Sequence, residues 1–184
     1  MNEARTLVAA GAEFFGVVHE HDAKEDEMRI EHEIDIKRAP ADVFAFLTDP
    51  EKLSAWQPRT VAVRRQRQGP LIVGERFEEV HKALGRELLS TVEVAAYDAP
   101  RVFALRVVAG ALPLDGRWQL AQRPTGTRLH FIGQGNVRGL MRLTKPMLAR
   151  QFRGYHQRLK DILERGANEN EKNARPVIDS SASR

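Results

Sequence analysis

The order of elements along the sequence predicts an α+β protein in which a curved antiparallel sheet surrounds a helix. Three observations support this prediction. Two short helices follow a first strand, alternating strands fill the middle of the chain, and a long amphipathic helix ends it. Because consecutive strands joined by short turns pair with one another, their apolar face is left for the last helix to cover.

The first strand and the two short helices are predicted between residues 29 and 58. Apolar and polar residues alternate over 29–37, which is typical of a strand. In the following segment, APADVFAFLTDPEKLSAWQP, Pro40 suits the first turn of a helix, and Asp49 and Pro50 end that helix and begin the next. The apolar side of the first helix consists of Val43, Phe44, Phe46 and Leu47.

Residues 60–136 show an alternation of period two that predicts about six further strands. In the segment 101–109, for example, Phe103, Leu105 and Val107 share one face. The predicted turns that separate these strands are at 68–70, 84–85, 98–100, 115–116 and 124–126.

After Gly139 the period changes to 3.6, which predicts one long helix lying across the apolar face of the sheet. Pro146 falls within this pattern and is expected to kink or divide the helix near Lys145. The apolar stripe comprises Leu140, Leu143 or Thr144, Met147, Leu148, Gln151, Phe152, Tyr155, Leu159, Ile162 and Leu163.

Length and composition indicate a single domain with distinct ends. Of the 184 residues, 42% are hydrophobic, and the predicted domain spans 29–165. Residues 1–28 are interpreted as an acidic, weakly ordered extension, with Met28 an alternative start of translation, and 166–184 as a disordered tail. The two ends carry formal charges of −5 and 0, so that, of the chain's +4, residues 29–165 carry +9.

The composition also limits the class of protein. The chain has no cysteine, which excludes disulfides, thiolate metal sites and a cysteine nucleophile, and fits a cytoplasmic location. Its longest apolar stretch, 7–18, is interrupted by Glu13 and is too short to span a membrane. Glu3 precedes that stretch in place of the basic leader of a signal peptide.

Several segments stand out together: 30–36, 39–44, 47–50, Trp56, 73–74, 126–129 and the last helix with Pro146. They resemble the SRPBCC or START-like superfamily, and within it the polyketide cyclase/dehydrase and lipid-transport type. The resemblance covers roughly 29–165 and rests on turn, cap and packing residues. It implies a helix-grip fold, with a strongly bent seven-stranded antiparallel sheet around the C-terminal helix and an apolar cavity between them. Members bind lipids, sterols, hormones, polyketides or quinones, and a minority are enzymes.

The expected ligand site is the cavity between the sheet and the C-terminal helix. Each apolar side chain predicted there either contacts the ligand or belongs to the hydrophobic core. Trp56 and Tyr155 are the strongest candidates, since each combines an apolar body with a hydrogen-bonding tip. The predicted lining is Trp56, Phe77, Leu88, Val92, Phe103, Leu105, Trp118, Leu120, Leu129, Phe131, Met147, Gln151 and Tyr155.

Glu79 and His81 are candidates for acid–base chemistry. If Phe77 points inward, alternation places both side chains in the cavity, where they would form a proton-transferring pair. If Val80 and Leu84 point inward instead, both lie on the surface or rim, and this arrangement is the favoured one.

The other histidines suggest no catalytic or metal site. His32 lies between two glutamates, as in an outer-face ion pair, His130 is expected to be exposed, and His156 is expected at the flank of the last helix. No pair of histidines has the spacing of a metal site with a carboxylate, so no metal and no cofactor is expected.

Three functions remain open. The first is a carrier or sensor of a small hydrophobic molecule such as a lipid, isoprenoid, quinone or polyketide. The second is a cyclase or dehydratase that uses Tyr155, Glu79 or His81. The third is a basic interaction module for an acidic partner or an anionic membrane. Nucleic-acid binding is disfavoured, because no aromatic residue interrupts the basic segment 64–68.

Overall fold

A seven-stranded sheet and a long helix dominate the computed structural model, which describes residues 27–83, 85–110, 112–136 and 143–173. All neighbouring strands are antiparallel, in the order β1-β7-β6-β5-β4-β3-β2. The predicted α+β fold with its seven strands is therefore confirmed. The strands are β1 (Glu27–Ile36), β2 (Thr60–Arg64), β3 (Arg76–Ala83), β4 (Arg86–Asp98), β5 (Val102–Ala109), β6 (Asp115–Arg123) and β7 (Gly126–Asn136).

Two short helices connect β1 and β2, which lie at opposite edges of the sheet: α1 (Pro40–Leu47) and α2 (Leu53–Trp56). Pro40 occupies the first turn of α1, where its missing N–H has no helical partner to lose. After α1, the side chain of Asp49 accepts a hydrogen bond of 3.0 Å from the N–H of Glu51 and so begins the next turn. Both predicted helices are confirmed.

The C-terminal helix, α3, spans Lys145–Asn173. It begins at Lys145, the position where the helical pattern was expected to kink or divide, so Pro146 lies in its first turn. Its backbone continues to Asn173, past the predicted start of the tail at Gly166. Predictions for 1–26, 137–142 and 174–184 fall outside the described residues.

No helix in the described ranges is long and apolar enough to cross a membrane.

One predicted turn, at 115–116, is instead the start of β6. The Asp115 carboxylate accepts a hydrogen bond of 2.9 Å from the backbone N–H of Val107 on the neighbouring strand β5. The Asp-Gly pair is therefore typical of a turn in the sequence, but in the structure the Asp115 side chain connects β6 to β5. Burial raises the pKa of this carboxyl, and the hydrogen bond from Val107 partly opposes that shift.

The core lies between α3 and the face of the sheet that α3 covers. Register shifts interrupt the β2–β3 and β4–β5 pairings, and bulges of this kind bend a sheet. At one end of the core, aromatic rings pack closely, with centroids of Trp118 and Phe131 5.2 Å apart and those of Phe131 and Phe152 4.8 Å apart. This end of the interior is filled by side chains.

A hydrogen-bonded chain of three rings connects the sheet to α3. The indole N–H of Trp118 donates to Nε2 of His156 over 2.7 Å, and Nδ1 of His156 lies 2.8 Å from Nε2 of His32 on β1. His156 is fully buried, and its burial, with a smaller contribution from His32, lowers its pKa to about 3. Burial also lowers the pKa of His32.

These positions correct two predictions. His156 is in the core rather than at the flank of the helix, because its ring accepts the only hydrogen bond that the buried Trp118 indole can donate. His32 faces inward rather than into an outer ion pair, since it shares the face of β1 that carries the buried Ile30. His130 lies on the opposite face, 2.7 Å from Glu31, with 24% of its side chain exposed.

The buried histidine predicts that stability falls at mildly acidic pH. The pKa of His156 is about 3 in the fold, against an ordinary 6.5 that applies once the chain unfolds. The unfolded chain therefore takes up the proton first, and the free energy of unfolding drops by up to ~1.4 kcal/mol per pH unit below ~6.5. His156→Gln keeps an acceptor for Trp118 and removes this titration.

Urea unfolding at several pH values between ~7.5 and ~5 checks this prediction. The wild type should lose ~2 kcal/mol more than His156→Gln over this range. Gln157→Ala, which changes the exposed neighbour of His156 on α3 and removes no titrating group, is the control and should keep the wild-type slope. Equal pH slopes in all three proteins would contradict the assignment.

Candidate functional site

A cavity of about 340 Å³ lies between α3 and strands β3 to β6. Its walls are mainly apolar, and the volume is near the lower end of the ~300–1,000 Å³ of small-molecule sites. The sheet contributes alternate residues of β4 and β5, which share one face, and α3 contributes residues one turn apart. The apolar lining consists of Leu88, Val92, Leu105, Val107, Leu112, Leu114, Trp118, Met147, Leu148 and Phe152.

Polar side chains line the cavity where the segment after α2 meets β3. The backbone N–H of Lys82 donates to the carbonyl of Arg59 over 2.7 Å, which brings these two basic residues together. The register pairs His81 with Thr60 on β2 and Glu79 with Ser90 on β4. The polar lining is Gln57, Arg59, Glu79, His81, Lys82, Ser90, Thr144, Gln151 and Tyr155.

Glu79 and His81 form a pair on β3. Glu79 Oε2 lies 3.2 Å from His81 Nε2, and His81 Nδ1 lies 3.1 Å from the hydroxyl oxygen of Thr60. Glu79 is 7% exposed, and its other oxygen, Oε1, is buried without a hydrogen-bond partner in the part of the chain described. The carboxylate is thus held from one side only.

The favoured surface or rim position was wrong for Glu79. Phe77 is buried in the core, and alternation along β3 then turns Glu79 inward as well. His81 also lines the cavity, but 29% of its side chain is exposed, so it lies at the rim as expected. An acid–base pair can therefore reach a molecule in the cavity.

Tyr155 on α3 lines the same cavity and is buried. Burial raises the pKa of its hydroxyl, whereas nearby Arg59 and a hydrogen bond with the Gln151 side chain lower it. Because burial is the largest of these effects, the hydroxyl stays neutral near physiological pH and remains able to donate and accept hydrogen bonds.

The structure brings part of the predicted lining together and leaves the rest in the core. Trp56, one of the two strongest candidates, is 1% exposed and packs 5.7 Å from the ring of His156, outside the cavity. Around the cavity are Leu88, Val92, Leu105, Trp118, Met147, Gln151 and Tyr155. Buried in the core instead are Trp56, Phe77, Phe103, Leu120, Leu129 and Phe131.

Sequence reasoning missed several lining residues, some of which the strand pattern could have found. Val107 shares a face with Leu105, and Ser90 lies between Leu88 and Val92 on the same face of β4. Gln57 and Arg59 follow α2 in an irregular segment, where no period indicates direction. The remaining missed residues are Lys82, Leu112, Leu114, Gly116, Thr144, Leu148 and Phe152.

A basic groove along α3 adjoins the cavity. It shares Arg59, Met147, Gln151 and Tyr155 with the cavity lining and continues past Arg150, Arg158 and Arg165. Met147 is 55% exposed here, so an apolar side chain stands at the opening. Contact of this basic side with an acidic partner or an anionic membrane stays a prediction.

Among the described residues, no group of three or more His, Asp or Glu could hold a metal ion.

The fold and the cavity define the class of protein: an antiparallel sheet that grips a long C-terminal helix and encloses an apolar hollow. Residues 27–167 match the family described as "Polyketide cyclase / dehydrase and lipid transport", and the chain belongs to that family. The predicted family and its helix-grip fold are confirmed. No curated protein sequence matches the chain.

Solved structures show the same fold at low sequence identity. Protein MLL2253 from Mesorhizobium loti is 20% identical, with a TM-score of 0.61, over 75% of this chain and 98% of that one. Ara h 8.0201 is 12% identical, with a TM-score of 0.61, over 74% and 97% of the two chains. The di-domain ARO/CYC protein StfQ from the steffimycin biosynthetic pathway is 13% identical, with a TM-score of 0.66, over 79% and 54%.

Proposed function

We propose that this protein binds a small hydrophobic molecule between its sheet and α3, as a carrier or sensor. The observation that carries the proposal is the mainly apolar cavity of about 340 Å³ with a set of polar side chains in its lining. A lipid, isoprenoid, quinone or polyketide-like molecule matches this lining. The volume favours a compact ring system or a short chain over a lipid with two long chains.

The family supports this proposal, since its description joins lipid transport with polyketide chemistry. StfQ, which shares the fold, is described as a di-domain ARO/CYC protein from the steffimycin biosynthetic pathway. At 13% identity StfQ supports the fold and not a substrate. The choice of ligand class therefore rests on the cavity itself.

Filling the cavity from β5 tests the proposal. Val107 lines the cavity, so Val107→Trp should occupy it and weaken uptake of a fluorescent fatty acid or naphthalene probe at least tenfold. Val108, the next residue, is 39% exposed and does not line the cavity, so Val108→Trp is the matched control and should bind as the wild type does. Fluorescence titration measures both affinities.

Native mass spectrometry of wild-type protein purified without added ligand gives a second readout. A bound small molecule that is present in the wild type and in Val108→Trp, but absent from Val107→Trp, supports the proposal. Wild-type protein that carries no ligand and takes up no apolar probe would contradict it.

A second candidate is an enzyme of the cyclase or dehydratase type, favoured by the pairing of Glu79 with His81 inside the cavity. In a dehydration, the pair would accept a proton from the carbon next to a substrate carbonyl. The bonding electrons would form the C=C bond, and the leaving hydroxyl would depart as water after taking a proton from a cavity donor. Tyr155 is a neutral donor in the lining.

Incubation with β-hydroxy ketones of suitable size, followed by mass spectrometry for the loss of one water, tests this candidate. His81→Gln should lower the rate by ~10²–10⁴-fold, because general acid–base catalysis contributes about that much. His130→Gln, which alters the outer face, should leave the rate unchanged. A wild-type protein that binds these ketones without converting them would rule out the enzyme and leave the carrier.

A further inference from the structure

We infer that the ligand of this cavity carries a neutral hydroxyl group that donates a hydrogen bond to Glu79. The inference rests on the proposed function and adds the chemistry by which the ligand is recognised. It depends on which of the two carboxylate oxygens of Glu79 has a hydrogen-bond partner, and on the charges of the other residues that line the cavity.

The two oxygens of Glu79 differ in their partners. Oε2 lies 3.2 Å from His81 Nε2, whereas Oε1 is buried and has no hydrogen-bond partner among the described residues. Buried polar atoms in proteins are almost always paired, because an unpaired one loses its water without replacement. Glu79 lines the cavity, so a donor on a bound molecule can supply the missing hydrogen bond.

A second buried glutamate shows what a structural carboxylate looks like in this protein. Glu75, just before β3, has a side-chain exposure of 8%, close to the 9% of Glu79. Its Oε1 accepts from Arg65 over 2.8 Å and its Oε2 accepts from the N–H of Ile72 over 3.3 Å. Both oxygens of Glu75 are therefore occupied within the protein, as expected of a carboxylate whose role is structural.

The surroundings of Glu79 select a neutral hydroxyl over a cation. Arg59 and Lys82 line the same cavity and would repel a positively charged ligand. A hydroxyl oxygen also has lone pairs, which donors of the same lining, Arg59, Gln57 and Ser90, can satisfy, whereas an ammonium group has none. A phenol or alcohol on an apolar ring system combines these features.

Three ligands with one ring system test the inference by calorimetry or fluorescence: 2-naphthol, its methyl ether, and 2-naphthylmethylammonium. The wild type should bind the naphthol at least tenfold more tightly than either of the others. Glu79→Met removes the acceptor and keeps the length of the side chain, so the naphthol and its ether should then bind equally well. Glu78→Met is the matched control, because Glu78 is next in the chain with 42% of its side chain exposed, and should keep the preference.

Several outcomes would overturn the inference. Equal affinity of wild type for the naphthol and its ether would do so, as would tightest binding of the ammonium ligand or an unchanged preference in Glu79→Met. If Glu79→Met does not fold, the wild-type comparison still decides, since it needs no variant. If none of the three ligands binds, the inference fails for ligands of this size, whereas the proposed function fails only if fluorescent fatty acids also do not bind.

Discussion

The hydrogen bond between Trp118 on β6 and His156 on α3 fixes how the helix lies on the sheet. Both groups are buried, and the indole N–H donates its single hydrogen bond to the acceptor nitrogen 2.7 Å away. Moving α3 by one turn, ~5.4 Å, would break this bond and leave both polar groups unpaired in the core. Since α3 forms one wall of the cavity, the position of the cavity depends on the same bond.

The rings around this bond divide the interior into a filled part and a hollow part. Trp118 belongs to both, because it packs on Phe131 and also lines the cavity. A glycine, Gly116, makes room for it: a Cβ there would come within 2.8 Å of the Trp118 ring. Beyond Trp118, β4 and β5 contribute small and medium-sized side chains that do not fill the space up to α3: Leu88, Ser90, Val92, Leu105 and Val107.

The architecture could be predicted from the sequence because it rests on repeating patterns. Period-two alternation predicted the strands and the 3.6 period predicted α3. Both patterns arise because one face of each element is buried. The inward position of His156 could not be predicted in this way, since it depends on a partner 38 residues away in the chain. Whether Glu79 faced the cavity depended on the register of β3, which a shift of one residue reverses.

The cavity residues show the same limit. Phe103 and Leu105 lie on one face of β5, yet only Leu105 lines the cavity, because Phe103 packs against Trp118 with ring centroids 5.6 Å apart. Alternation identifies the face but not the position along the strand where the interior opens. That position is set by side chains from β6 and α3, which meet β5 only in the folded protein.

The two candidate functions make opposed demands on Glu79. His81 engages Oε2, which leaves Oε1 as the carboxylate oxygen that a ligand can use. If a ligand hydroxyl donates to Oε1, that oxygen cannot at the same time accept a proton from a neighbouring carbon, and the leaving hydroxyl faces an acceptor rather than the acid it needs. Recognition of a hydroxyl by Glu79 therefore favours a protein that holds its ligand over one that dehydrates it. An enzyme would instead have to bind its substrate with the carbon next to the carbonyl, and not the hydroxyl, against Glu79.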